Sequence, residues 1–423
     1  MNYKEYLEIL KEELVPAMGC TEPIAVAYCA SLARKTLGTM PEKVKVLASP
    51  NIIKNVKSVV VPNTGGLKGI EAAAAAGIAA GNPLAELQVL ANITADDVAA
   101  ISDYLKETDI KVERSPKDLV FDIEVEAEAD GHVAHVEIAG HHTNVVKIQL
   151  DEKTLLEETF QEQESALTDR SVLSVEGIVE FADKVAIEDV EEILKRQIDY
   201  NTAIAEEGLA GDWGANIGSI MLAAYGDDVY NKAKAYAAAG SDARMSGCEL
   251  PVVINSGSGN QGMTASLPVI VYAEDKGATK EDLYRALVVS NLVTIHLKTG
   301  IGRLSAYCGA TSAGCGAGAG ITYLNGGKFR EVAHTIVNAV AIASGMICDG
   351  AKASCAAKIA AAVEAGLLGM QMQEKGSQFY GGDGIVVKGV ENTIRNIGKL
   401  ASVGMKETDA TIIGMMIEDS KEQ

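Results

Sequence analysis

The spacing of apolar positions changes character twice along the 423-residue chain. Over residues 1–38 it is helical. Pro16 and the turn Gly19-Cys20-Thr21-Glu22-Pro23 separate a first amphipathic helix from a second over 24–37. Thr21 is the expected N-cap, with Pro23 in the first turn. Between 40 and 150 the period shortens. Strands are expected over 44–48, 58–62, 110–113, 119–129, 132–138 and 144–150, and helices over 69–80 and 94–106. The alternation Phe121-Asp-Ile-Glu-Val-Glu-Ala-Glu128 predicts a half-exposed strand, and Ala129-Asp-Gly131 a hairpin turn. Residues 151–170 are acidic and polar and are expected to form a linker. From Ser174 the pattern is helical almost to the end, broken by expected Gly-rich loops at 255–262, 299–302, 309–320 and 381–384.

This organisation predicts an α+β protein. A large all-helical domain spans 171–423, and the helical segment 1–38 packs with it. The smaller α+β domain, 39–150, carries an antiparallel sheet and is inserted between them. No internal repeat or coiled coil is visible.

Composition narrows the function classes. Hydrophobic residues make up 48% of the chain, which excludes a disordered protein. Aromatics are only 4% and glycines number 42, so packing must rely on small side chains and close backbone approach. The net charge of −21 repels nucleic acid and anionic membrane surfaces, so neither is expected as a partner. No signal-peptide pattern opens the chain, and no stretch reads as a membrane span. A cytoplasmic, reducing location is expected. Cysteines 20, 29, 248, 308, 315, 348 and 355 are therefore expected to be free, metal-bound or catalytic.

Two thiols, Cys348 and Cys355, bracket the charged turn Asp349-Gly350-Ala351-Lys352. Seven residues is two helical turns, so they can share a face. Cys308 lies in the Gly-rich run Cys308-Gly-Ala-Thr-Ser-Ala-Gly-Cys-Gly-Ala-Gly-Ala-Gly320, where the main chain can approach a bulky inorganic group. The short Cys hooks of a zinc site are absent. Buried cysteines acting as small apolar side chains are the competing reading.

Further polar segments carry candidate roles. Ser256, Gly257, Ser258, Gly259, Asn260 and Gln261 follow a strand-like Pro251-Val-Val-Ile and lack the Gly-Lys-Ser/Thr of a P-loop. The simplest role for this loop is to hold the carboxylate of a small substrate, an ordinary turn being the alternative. Asn63, Thr64, Gly65, Gly66 and Lys68 sit where a strand meets a helix. They can bind an anion or simply cap the helix. His141-His142 lies in a turn that can face the helical domain. Lys298 and Arg303 precede Cys308 closely. No pyridoxal-phosphate lysine motif is recognisable.

Taken together, Gly19-Cys-Thr-Glu-Pro23, Pro62-Asn-Thr-Gly-Gly-Leu-Lys-Gly69, Asn255-Ser-Gly-Ser-Gly-Asn-Gln-Gly262, Cys308-Gly-Ala-Thr-Ser-Ala-Gly314 and Ile347-Cys-Asp-Gly-Ala-Lys-Ala-Ser-Cys355 resemble the L-cysteine desulfidase family. That family is related to the catalytic α chain of iron–sulfur-dependent L-serine dehydratases. The resemblance covers essentially the whole chain. It implies a [4Fe–4S] cluster with one open iron, held by Cys308, Cys348 and Cys355, with Cys315 as the alternative to Cys308. The implied reaction is β-elimination of L-cysteine to pyruvate, ammonia and sulfide. L-serine dehydration and a non-catalytic cluster-bearing sensor are the alternatives. Cys20, Lys298 and His142 are the candidate catalytic residues. Cys20 also stands just before a helix N-terminus, where the macrodipole lowers a thiol pKa. A small amino acid is the expected partner, and a homodimer is compatible with the Ala/Gly-rich helical surface.

Overall fold

The computed structural model of the protein describes residues 3–18, 21–117, 119–158, 167–302 and 305–419. The fold is α+β, with one helical core and one helix–sheet core.

The N-terminal helix α1 (Tyr3–Glu13) buries Tyr6, Leu7, Ile9 and Leu10 in the helical core. Strand β1 (Pro16–Met18) follows. Helix α2 (Thr21–Leu37) then crosses to the other core, where Ala25, Val26 and Ala30 lie under the sheet. The expected helical segment 1–38 is thus divided between the two cores. Its second half is apolar nearly all round, and the large sheet supplies the surface that buries it.

Next come β2 (Lys43–Ala48), α3 (Pro50–Val56), α4 (Gly69–Ala80), α5 (Ala95–Glu107), β3 (Asp109–Arg114), β4 (Asp122–Ala129), β5 (His132–Ala139), β6 (Val145–Leu150) and β7 (Lys153–Glu157). The six strands are ordered β3-β2-β4-β5-β6-β7. All pairs are antiparallel except β2–β3, which is parallel because α3, α4 and α5 make the crossover between them. Helix α5 carries a complete capping box between Thr94 and Asp97. Three expectations are corrected. Residues 58–62 make only an isolated bridge, Val60 to Lys68, because Pro62 and the following glycines end any ladder. Residues 153–157 are the edge strand β7 rather than linker; residues 159–166 lie outside the described set. Glu124, expected on a solvated face, is 7% exposed. It stands directly across from Glu137 on β5, an arrangement that repels unless a cation intervenes. Lys117 supplies that cation, 2.8 Å from Glu124 and 2.7 Å from Glu137.

The helical part comprises α6 (Val175–Lys184), α7 (Ile187–Ala210), α8 (Ile217–Tyr225), α9 (Val229–Met245), strand β8 (Pro251–Val253), α10 (Gly259–Lys276), α11 (Lys280–Ile301), α12 (Gly309–Leu324), α13 (Phe329–Ala343), α14 (Cys355–Glu374), α15 (Val390–Lys399), a π-turn at Leu400–Gly404 and α16 (Lys406–Asp419). It is not purely helical, since β8 pairs antiparallel with β1. The glycines of 309–320 form helix α12 instead of the expected loop. A Cβ on Gly314 would fall 2.2 Å from the Ala362 carbonyl oxygen of α14, and one on Gly316 2.2 Å from Thr294 Oγ1 of α11. Glycine there serves helix crossing. Helix α14 is long and apolar enough to span a membrane by composition, yet more than half of its most apolar window is buried. It packs against α12, α13 and α9.

Candidate active site

A cleft of about 640 Å³ opens between the two cores. Its walls come from α1, α3, the β5–β6 turn, the loop before α10, the end of α11, and the loops leading into α12 and α14.

Backbone pairing sets the position of the thiols. Tyr307 and Ile347 form an isolated antiparallel bridge. The Cys308 N–H donates to Met346 O at 3.0 Å, and the Cys348 N–H to Ala306 O at 2.6 Å. The loops before α12 and α14 are therefore zipped side by side. Cys308 becomes the N-cap of α12, and Cys355 the first residue of α14. Two helix N-termini, with their positive ends, converge on one cleft wall. Each sulfur also receives a backbone N–H: from Ala310 to Cys308, from Gly350 to Cys348 and from Lys352 to Cys355.

The thiols are electrostatically distinct. Cys348 is held below the ordinary thiol range, chiefly by the hydrogen bond from Cys308. Burial opposes this shift, while Lys54, the Gly350 N–H and Lys298 support it. Cys308 is pushed up by the same partnership and by burial. Cys355 is raised by burial, against the Lys352 N–H and charge. Cys315 lies fully buried inside α12, where burial raises it to about 12, and it does not line the cleft. Of the two alternatives, Cys308 is the thiol that faces the cleft.

Cations surround this wall. Lys54 of α3 is 4% exposed and lies 2.5 Å from Asp409 of α16. Gly350 packs on the Lys54 backbone at φ +92°. Asp349 accepts from both Lys352 and Lys358, whose hydrogen bonds outweigh burial and keep its carboxyl below the usual range. Lys298 donates to Gly302 O at 2.7 Å. Enclosure lowers its pKa, which the nearby Cys348 and Cys308 sulfurs oppose and Lys54 reinforces. Arg170 lines the opposite side, paired with Glu12 at 2.6 Å and Glu13 at 2.8 Å.

Polar groups that can hold a substrate face the same space. Asn255 and Ser258 exchange backbone hydrogen bonds around Ser256 (φ +50°) and Gly257 (φ +77°), a tight turn with its tip in the cleft. Buried amides fix it from behind. Asn255 Nδ2 donates to Asn291 Oδ1 at 3.0 Å, and Gln197 Nε2 donates to the same oxygen. Ser258 caps α10. Asn260 Oδ1 and Gln261 Oε1 are buried without a hydrogen-bond partner. Gly259 does not line the cleft; a side chain there would strike Arg244. His142 enters from the β5–β6 turn with its ring edge-on to Phe121 at 4.7 Å and its buried Nε2 unpartnered. Burial lowers its pKa, partly offset by Glu22.

The structure brings together Ser256, Gly257, Ser258, Asn260, Gln261, Lys298, His142, Cys308, Cys348 and Cys355. The loop carrying Asn63, Thr64, Gly65, Gly66 and Lys68, expected to bind substrate, does not line the cleft in this structure. Asn63 Nδ2 donates to Leu90 O and Thr64 Oγ1 to Val61 O, so these two side chains are engaged by their own neighbours in the turn that leads into α4. Cys20 and Arg303 lie outside the described residues. His141 is exposed, and His132, His135 and His296 are paired with Asp151, Glu124 and Glu391. Lys54, Lys358, Arg170 and Arg244 were not anticipated. A lysine on the buried face of the short apolar helix α3 was the signal available for Lys54.

The donor set can be tested against a metal group. Sulfurs around one tetrahedral zinc stand about 3.8 Å apart. Among the described residues, the one trio of donor atoms within 4.8 Å of one another is Asp122, Glu124 and Glu137, where Lys117 already bridges Glu124 and Glu137. The three thiols are spread more widely than a single ion needs. Thiols with backbone N–H donors beside cations fit a larger, anionic iron–sulfur group.

Residues 84–414 match the family model described as serine dehydratase alpha chain. The chain belongs to the serine dehydratase alpha chain family. It is 60% identical to UPF0597 protein DSY1109 of Desulfitobacterium hafniense, over 98% of this chain and 97% of that one. UPF0597 proteins of Lachnoclostridium phytofermentans and Treponema denticola are 49% and 45% identical. Those alignments cover 98% and 99% of this chain, and 100% and 99% of the relatives. The match of the serine dehydratase family to this chain includes the loops of Cys308, Cys348 and Cys355, the α10 turn and His142.

Proposed function

We propose that the protein is an iron–sulfur-dependent lyase that converts L-cysteine and water to pyruvate, ammonia and sulfide. The observation that carries this reading is the convergence of Cys308, Cys348 and Cys355 at two helix N-termini in a cleft with two unpaired amide oxygens and a histidine whose buried Nε2 has no partner. Cys308, Cys348 and Cys355 would hold a [4Fe–4S] cluster. When bound, the cluster supplies a Lewis-acidic iron that favours departure of the leaving group.

The chain's own residues have separable tasks. The turn at Ser256–Gly257 and the start of α10 offer N–H and amide donors for the substrate carboxylate. Lys298 and Lys54 make that wall attractive to an anion. Neutral His142 Nε2 can accept the α-proton, because its lowered pKa leaves it unprotonated at neutral pH. Lys298, with its own lowered pKa, is the second group able to move a proton. Loss of the α-proton and of the β-thiolate leaves aminoacrylate, which tautomerises and hydrolyses to pyruvate and ammonia.

The family match favours a second reading, in which L-serine is the substrate and water leaves. Anaerobically reconstituted protein given L-cysteine and L-serine in parallel separates the two. Equal sulfide and pyruvate from cysteine, with kcat/KM at least roughly tenfold above serine, supports desulfidation. The reverse ratio supports dehydration. A loaded protein that turns over neither amino acid would refute both and leave a cluster-bearing sensor.

A further inference from the structure

A second cavity, about 340 Å³, lies between the start of α13 and the segment leading into α15, and shares no lining residue with the cleft. Its floor is apolar, with Ala333, Val386 and Val390 buried. Phe329, Phe379 and Tyr380 stand at its mouth at 38%, 36% and 62% exposure. Its charged or titratable lining residues are Arg330, His334, Tyr380 and Lys388, with no carboxylate among the described residues that line it. That is unusual in a chain with 58 acidic and 37 basic residues. The neighbouring Glu331 accepts from the Lys328 N–H at 3.0 Å, and its carboxylate also feels the charges of Arg330 and His334. Helix α15 begins at this wall without a side-chain cap, at Gly389 (φ +91°).

We infer that this cavity is a binding site for a small carboxylate with an aromatic or branched apolar body. The body would lie on the valine floor beside the Phe329 and Phe379 rings, as small-ligand cavities of this size are used. The carboxylate would meet Arg330 and Lys388 at the rim, where charge-assisted hydrogen bonds are the strongest polar contacts available. A free inorganic anion would leave the floor uncovered. A neutral apolar molecule would leave the cations unused. The inference is independent of the lyase reading, since no group of the cleft takes part.

Calorimetric titration of the full-length protein with 3-phenylpropionate, and with its neutral amide, tests this site. The acid should bind saturably, and the amide roughly tenfold or more weakly. The Arg330→Gln/Lys388→Gln double variant should lose the acid to the same extent, while Lys298→Gln keeps it. Circular dichroism of each variant verifies that it is folded. Equal affinity for acid and amide, unchanged binding in the double variant, or absence of saturable binding would each overturn the inference. Loss of binding in Lys298→Gln alone would place the ligand in the cleft and overturn it as well. Sedimentation velocity of Phe379→Ser supplies a further arm. A shift from dimer to monomer would make this face a self-association surface instead.

Discussion

Replacing Gly350 by alanine should separate folding from assembly of the thiol cluster. Gly350 has φ +92°, and an added Cβ would lie 1.9 Å from the Lys54 carbonyl oxygen. Real contacts of this kind do not fall under 3.0 Å, so loop and α3 must part by about 1 Å or more in a close-packed region. The dihedral alone costs about 1–2 kcal/mol. With displaced packing the total is roughly 2–4 kcal/mol. At a specific unfolding entropy of about 2.1 cal/mol/K per residue, that lowers Tm by only about 2–5 °C. The effect on the site should be far larger. Cys348 is two residues away and held beside Cys308 by the Tyr307–Ile347 backbone bridge, and a misplacement of about 1 Å can cost on the order of 100-fold in activity. The assay is iron and sulfide content after anaerobic reconstitution, alongside thermal unfolding. Gly345→Ala is the control, since its φ is +127° but no neighbour lies within 4 Å. It should lose stability and keep its iron. Gly350→Ala with wild-type iron content and activity would refute the reasoning.

Other perturbations probe the remaining parts. Cys315→Ala should retain iron and lose on the order of 1 kcal/mol of stability as a small cavity opens in α12, whereas Cys308→Ala should lose the iron; the opposite pattern in iron analysis would exchange their roles. In metal-free protein, Lys54→Met removes a cation that lowers Cys348, so the pH midpoint for its alkylation should rise, as mass spectrometry of the modified peptide would show. His142 has a folded pKa below its unfolded value, so the unfolded chain takes up the proton first and stability is lost as pH falls below about 6.5. His142→Gln should therefore show a smaller drop in Tm between pH 7.5 and 5.5 than wild type; identical drops would contradict the buried, neutral ring.

Much of the architecture was legible because the hydrophobic period is unambiguous in α4, α5 and strands β4 to β6. Glycine was where sequence reading failed. Gly314, Gly316, Gly318 and Gly320 look like a flexible loop in one dimension, but in three they are helix-crossing points against α11 and α14 or α10. The helix α2 was misassigned for a related reason: a helix apolar on all sides does not reveal which partner buries it. The site was readable in its thiols and in the turn before α10, where unusual residue types cluster along the chain. Lys54, Arg170 and Lys358 escaped because their significance arises only when α3, the segment after residue 166 and α14 meet around one cleft. The Asn63–Lys68 loop shows the converse, since its anion-binding pattern at a helix start lies outside the cleft, with the Asn63 and Thr64 side chains engaged by Leu90 and Val61.

The central claim is that three particular thiols hold an iron–sulfur group. Its most direct test is iron and acid-labile sulfide analysis, with the visible spectrum, of protein purified and reconstituted without oxygen. The account predicts about four irons and four sulfides per chain, with the spectrum lost in Cys308→Ala, Cys348→Ala and Cys355→Ala. A colourless wild-type protein after reconstitution, or a full spectrum in any one of those three variants, would contradict it.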